Sequence, residues 1–167
     1  MKQTKHSLVF ISMVAAAVFL ISSCMSGPHS KQMGGQFKAH LSSPKNVMTQ
    51  GTGDALFQLS SDGMNLSYVL TISNVTDVTM AHIHVSAAPG ENGDVAVWLY
   101  PSMAPMKLKE GTFSGVLAEG TITATNLEGP VLNMSISDLV NCIKQGRAYV
   151  NVHTQQNPDG EISGTIQ

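Results

Sequence analysis

The sequence predicts an all-β fold: a β-sandwich with one short helix near residues 137–145. Three observations carry that prediction. From about residue 36 the chain is a series of short runs rich in Val, Ile, Thr, Leu and Tyr, and several alternate apolar with polar residues. That period of two places successive side chains on opposite faces of a strand. Gly, Asn, Asp and Pro punctuate the runs at the intervals expected of turns. A single segment breaks the alternation and spaces its apolar residues as a helix does.

In chain order, QFKAHLS (36–42) is the first strand and GDALFQLS (53–60) the second. The turn Ser61-Asp62-Gly63 makes a hairpin with MNLSYVLTIS (64–73), because Asp-Gly supplies the positive φ that a tight turn requires. In that strand Leu66, Tyr68, Leu70 and Ile72 share one face, and Ser67, Thr71 and Ser73 the other. Asn74-Val75-Thr76-Asp77 then separates it from VTMAHIHV (78–85). DVAVWLY (94–100) is the next strand. FSGVLAEGTITAT (113–125) is one strand, or two broken at Gly120. In SISDLVNCIKQG (135–146), Ile136, Leu139, Val140 and Ile143 have helical spacing, with Ser137 as N-cap and Gly146 as the stop. RAYVNVHT (147–154) and EISGTIQ (161–167) close the chain, joined by the turn-forming QQNPDG.

The N-terminus reads as export machinery. MKQTKH is short and basic, and the fourteen residues LVFISMVAAAVFLI (8–21) are almost wholly apolar. That run is shorter than the ~20 residues a spanning helix needs, so it reads as a secretory signal. It ends in Ile21-Ser22-Ser23-Cys24, which resembles the bacterial lipobox. The resemblance implies removal of residues 1–23 and acylation of Cys24, so that membrane attachment comes through lipid. Acyl chains contribute ~0.8 kcal/mol per buried methylene, enough for several chains to hold a protein at a bilayer. MSGPHSKQMGG (25–35) is the flexible tether of such an anchor, and 36–167 the domain. Met25 after the acylated cysteine, rather than Asp, suits delivery to the outer membrane.

Charge excludes several classes of partner. The chain carries nine Lys and Arg against eleven Asp and Glu. Without Lys2 and Lys5, seven face eleven, a net charge of −4. No basic patch for nucleic acid and no polybasic membrane stripe is present. With Cys24 acylated, Cys142 has no cysteine to pair with, and its apolar helical setting predicts a buried, inert thiol. No Ser-His-Asp spacing, P-loop or dinucleotide fingerprint occurs, so no catalytic residue is assigned.

The chemistry candidates are histidines. His82 and His84 lie one residue apart on a strand, hence on one face, opposite Ala81, Ile83 and Val85. His153 holds the equivalent position in VNVHT. If the two strands are neighbours, three imidazoles converge, a sufficient shell for zinc or copper. Met80 shares the face, and a thioether there favours copper. The alternative is that the three simply make hydrogen bonds on the polar face, together with Tyr149 and Asn151. PGENGDV (89–95) offers Glu91, Asn92 and Asp94 to a hard cation but lacks the spacing of a calcium loop, and reads as a solvated turn. Asp159 and Glu161 read as solvated acids opening an edge strand.

LSYVLTISNVTDVTMAHIHVSAAPGENGDVAVWLY (66–100) and GRAYVNVHTQQNPDGEISGTI (146–166) resemble the CHRD domain, the module first named from chordin. The similarity spans nearly all of 36–167. Ser163 stands where the family usually has arginine, and only Pro44 remains of a proline stretch after the first strand. The resemblance implies an immunoglobulin-like or superoxide-dismutase-like Greek-key sandwich without catalytic activity, acting as an interaction or structural module toward an unidentified protein partner. An exposed apolar patch around Trp98, Tyr100, Met103 and Met106 would serve such a role. His-x-His is also similar to a copper/zinc dismutase motif, but the further histidines, zinc-site aspartate and disulfide of that site have no counterparts here.

Overall fold

Strand β1 (Gln36–Leu41) pairs antiparallel with β2 (Thr52–Leu59), and β2 with β3 (Leu66–Ser86). The computed structural model describes residues 34–167; the signal segment, Cys24 and most of the tether lie outside the described residues. Gly34 and Gly35 already contact the domain, their carbonyls accepting from Gln58 Nε2 at 2.7 Å and from Leu59 N–H at 2.9 Å.

The organising element is β3, 21 residues long. It fuses the two strands that the sequence separates at 74–77. Asn74 and Asp77 take positive φ (56° and 52°), and the ladder to the later strand β5 (Lys109–Ile122) shifts register around both. Asn and Asp tolerate the left-handed region, so they form bulges that bend the strand without ending it. The bulges are held in place: Asp77 Oδ1 accepts from Gly111 N–H at 2.7 Å, and Asn74 N–H donates to Ser114 Oγ at 2.9 Å.

The bend divides β3 between two sets of neighbours. Its first half lies between β2 and β5 (Lys109–Ile122), and its second half between β4 (Gly93–Tyr100) and β6 (Ala148–Thr154). β6 pairs with β7 (Ile162–Thr165). The return of β6 to β3, past β4 and β5, is the crossover a Greek key needs. β1 completes a ring: Lys38 and Gln167 exchange backbone bonds of 2.8 and 2.9 Å, and Ser42 and Ser163 bonds of 3.0 and 2.9 Å. The two layers are thus parts of one continuous, nearly barrel-like sheet, and β7 is covered by β1 rather than being a free edge. β5 runs unbroken through Gly120 and begins earlier than its sequence suggests; residues 123–126 leave it in a 3-10 turn.

The alternation in sequence becomes the core. Phe57, Leu66, Leu70, Ile72, Ile83, Val150, Val152 and Ile162 are each at most 1 % exposed. Each such aliphatic or aromatic side chain contributes ~1.5–3 kcal/mol by burial. Helix α1 (Ile136–Lys144) closes one end with Leu139, Val140 and Ile143. Its N-cap is Ser135, not Ser137. Ser135 Oγ accepts from Asp138 N–H at 3.3 Å, while the Asp138 carboxylate accepts from Ser135 N–H at 2.9 Å. Asp138 stands three residues after Ser135 and so completes a reciprocal box that Ser137 has no partner for. Gly146, at φ 69°, ends the helix.

Candidate metal centre

The second half of β3 carries side chains on two faces. Ala81, Ile83 and Val85 enter the core, and Met80, His82 and His84 lie opposite. That outer face is not open: His82, His84 and His153 are 2 %, 8 % and 5 % exposed. Register explains their meeting. β6 pairs beside this half of β3, placing His153 across from Met80, Asn151 from His82 and Tyr149 from His84. One nitrogen from each of the three histidines lies within 4.8 Å of the other two.

Aromatic rings wall the cluster. Trp98 on β4 meets His82 edge-on, with ring centroids 4.3 Å apart, and Tyr149 stacks on His84 at 5.1 Å and 11°. Trp98 Nε1–H donates to Glu128 Oε2 at 3.2 Å, and the Tyr149 hydroxyl accepts from Gly93 N–H at 3.1 Å.

Two backbone carbonyls set the tautomers. His84 Nδ1 lies 3.0 Å from the Gly93 carbonyl, and His153 Nδ1 lies 2.8 Å from the Pro158 carbonyl. A carbonyl only accepts, so each Nδ1 carries the proton and each Nε2 presents a lone pair. This is the outer shell that orients a ligating histidine. His82 Nδ1 lies 3.3 Å from His153 Nε2. Tetrahedral ligands at ~2.0–2.1 Å from one ion stand about 3.3 Å apart, so this pair is spaced as two corners of such a site. Nε2 of His82 and Nε2 of His84 are buried without any partner. An unpaired buried polar atom costs ~1–3 kcal/mol; a cation would remove that cost at His84 Nε2, while His82, ligating through Nδ1, keeps its proton on Nε2.

Electrostatics keep the rings neutral and ready to bind. Burial, with His153 and His84 beside it, pushes His82 down to about 3. Burial also lowers His84, opposed by the Gly93 carbonyl and Asp94, and lowers His153, opposed by the Pro158 carbonyl and Asp159. Neutral imidazole is the form that ligates.

The loop 155–160 locks the arrangement. Asn151 Nδ2 donates to the Asp159 carbonyl at 3.0 Å, beside the Pro158 carbonyl that holds His153. Gly160 adopts φ 137° against the Asn151 amide, where any Cβ would come within 2.7 Å of Nδ2. Glu161 anchors the loop from below. Contrary to the solvated acid read from sequence, it is 8 % exposed, accepting from Thr154 Oγ1 at 3.0 Å and from Asn157 Nδ2. Neutral donors satisfy it. Asp159 itself is exposed.

The other candidates separate from this centre. Residues 89–92 form an exposed turn whose contribution is the Gly93 backbone. Cys142 is buried, its sulfur accepting from Arg147 Nη2 at 3.1 Å in a cavity of about 480 Å³ that holds none of the three histidines. Trp98 belongs to the histidine cluster, and Tyr100 packs on the core, so of the four residues named for an apolar patch only Met103 and Met106 are exposed. What sequence reasoning missed is the wall and the lock: Trp98, the Gly93 and Pro158 carbonyls, Gly160 and Glu161. The Asn-Pro-Asp-Gly turn that begins four residues after His153 was the available signal for the lock.

Comparison with known proteins gives one match. The family model described as the CHRD domain covers residues 37–166. No curated protein and no solved structure matches significantly.

Proposed function

Because the chain belongs to the CHRD domain family, we propose a specific role for its domain: a non-catalytic metal-holding module that binds copper or zinc on His82, His84 and His153. The observation that carries this is the meeting of three buried imidazoles, one nitrogen of each within 4.8 Å of the other two, with Nε2 of His84 lacking any partner. Histidines that serve only a polar face have no need to bring one nitrogen each together out of solvent, as these three do. The lipobox-like Ile21-Ser22-Ser23-Cys24 supports a second part of the reading. The domain is a bacterial cell-envelope lipoprotein, held through acylated Cys24 at a membrane, the outer membrane by the residue that follows. An interaction module has weaker support, since the exposed Met48, Met64, Met103, Met106 and Met134 are spread over four separate connections.

Titration with zinc(II) and copper(II), beside the His82→Ala/His84→Ala/His153→Ala variant, tests the metal reading. One equivalent bound at micromolar affinity or better, and lost in a variant that still folds, supports it. No binding by the folded wild-type protein refutes it. Metabolic labelling with palmitate, lost on Cys24→Ala, tests the anchor.

A further inference from the structure

We propose, resting on the metal reading above, that the cluster is a closed copper(I) site in which the Met80 thioether supplies the donor that completes three imidazoles. Three features of the site lead there.

The first is the lack of room for water. A three-histidine zinc site keeps a fourth position for water or substrate. Here Nε2 of His84 is out of contact with solvent, and His82 and His153 are only 2 % and 5 % exposed. Trp98, Tyr149 and the 155–160 loop pack around the histidines, and a cleft of about 420 Å³ is lined by His84, whose Nε2 is nonetheless buried. Zinc would have to find its fourth ligand within the protein. Among the described residues no carboxylate or thiolate joins the three histidines in one ligand group, and Cys142 sits in the separate cavity with Arg147.

The second is the fourth donor that the strands do provide. Met80 is the cross-strand partner of His153 and lies two residues before His82, on the same face. Directly opposed residues have Cβ atoms ~4.5–5.5 Å apart, within reach of a flexible thioether. Met80 is half-buried, at the border of the cluster rather than in the core. Soft thioether ligation selects copper(I) over zinc.

The third is charge. Histidine ligates as the neutral imidazole, so this donor set brings no negative charge, and all three rings are buried. The cost of placing an ion in a low-dielectric site rises with the square of its charge, so a monovalent ion costs about a quarter of what a divalent one does. Asp94 and Asp159 stand near enough to soften that cost, but neither is a ligand.

The test is anaerobic competition of the purified full-length protein with a copper(I) chelator, and with a zinc(II) chelator in parallel, for the wild type and Met80→Leu. The expected result is one copper(I) held about 100-fold or more tighter than zinc(II). Met80→Leu should weaken copper(I) about tenfold or more and leave zinc(II) unchanged. Copper-edge absorption should show one sulfur and three nitrogen neighbours, with the sulfur missing in the variant. Zinc(II) held as tightly as copper(I), or copper(I) affinity indifferent to Met80→Leu, overturns the inference but leaves the three-histidine site standing. No metal bound at all removes both. If Met80→Leu does not fold, the wild-type spectrum decides alone: a copper without a sulfur neighbour overturns the proposal.

Discussion

Replacing Gly160 with alanine strikes the lock over the histidines, and its cost can be worked from the structure. Gly160 sits at φ 137°, where a side chain costs ~1–3 kcal/mol. The new methyl would lie 2.7 Å from Asn151 Nδ2 and 2.9 Å from its Cγ. Asn151 has to turn away, which breaks its bond to the Asp159 carbonyl and leaves a buried amide unpaired, a further ~1–3 kcal/mol. Alanine recovers ~0.4–1 kcal/mol by restricting the unfolded chain. The expected net loss is ~2–4 kcal/mol. Urea unfolding in the presence of a chelator reads it as a lower midpoint at unchanged slope. Gly90→Ala is the control: φ there is 80°, but nothing lies within 4 Å of the added carbon, so backbone strain alone should appear. In an Asn151→Ala background the clash vanishes, and the Gly160→Ala penalty should shrink by ~1 kcal/mol or more. If Gly160→Ala costs no more than Gly90→Ala, and the cost is the same in both backgrounds, the lock reasoning is wrong.

Two further predictions concern stability. His82 is held near 3 in the fold and titrates at its ordinary 6.5 when unfolded, so the unfolded chain binds the extra proton between those values. Metal-free stability should therefore be level above about pH 6.5 and fall below it, by about 3 kcal/mol at pH 4.5 from His82 alone. The lowering of His84 and His153 has the same sign, and a chelated sample whose urea midpoint does not fall between pH 6.5 and 4.5 contradicts this. In the helix, Ser135→Ala should cost ~1 kcal/mol and Ser137→Ala under ~0.5 kcal/mol by thermal unfolding, an order that reverses if Ser137 is the cap.

Much of this fold is legible in the residues because two-residue alternation is a local property. Leu66, Tyr68, Leu70 and Ile72 announce their common face, and in the structure they all enter the core. The Ser61-Asp62-Gly63 turn is similarly local, with Asp62 fixed by Ser60 and Met64 N–H. Asn74 and Asp77 show where locality misleads. Polar, turn-favouring residues read as a break, but neighbours on β5 hold them as bulges inside one strand.

The site divides the same way. His82 and His84 share a face by the pleat alone, and the sequence determines that much, along with the all-β class and the family. Whether His153 joins them depends on β6 returning to the far half of β3, a pairing between residues about 70 positions apart in the chain. No local pattern encodes that crossover. The sequence likewise leaves Glu161 looking solvated and Trp98 looking like surface, because burial is decided by what packs above a strand. Only the tertiary structure placed Pro158, Gly160 and Glu161 over the polar face and turned three ordinary histidines into a dry cluster. The physical reason is that strand faces are fixed by neighbouring bonds, whereas a binding site is fixed by register between distant strands and by the loops that exclude water from it.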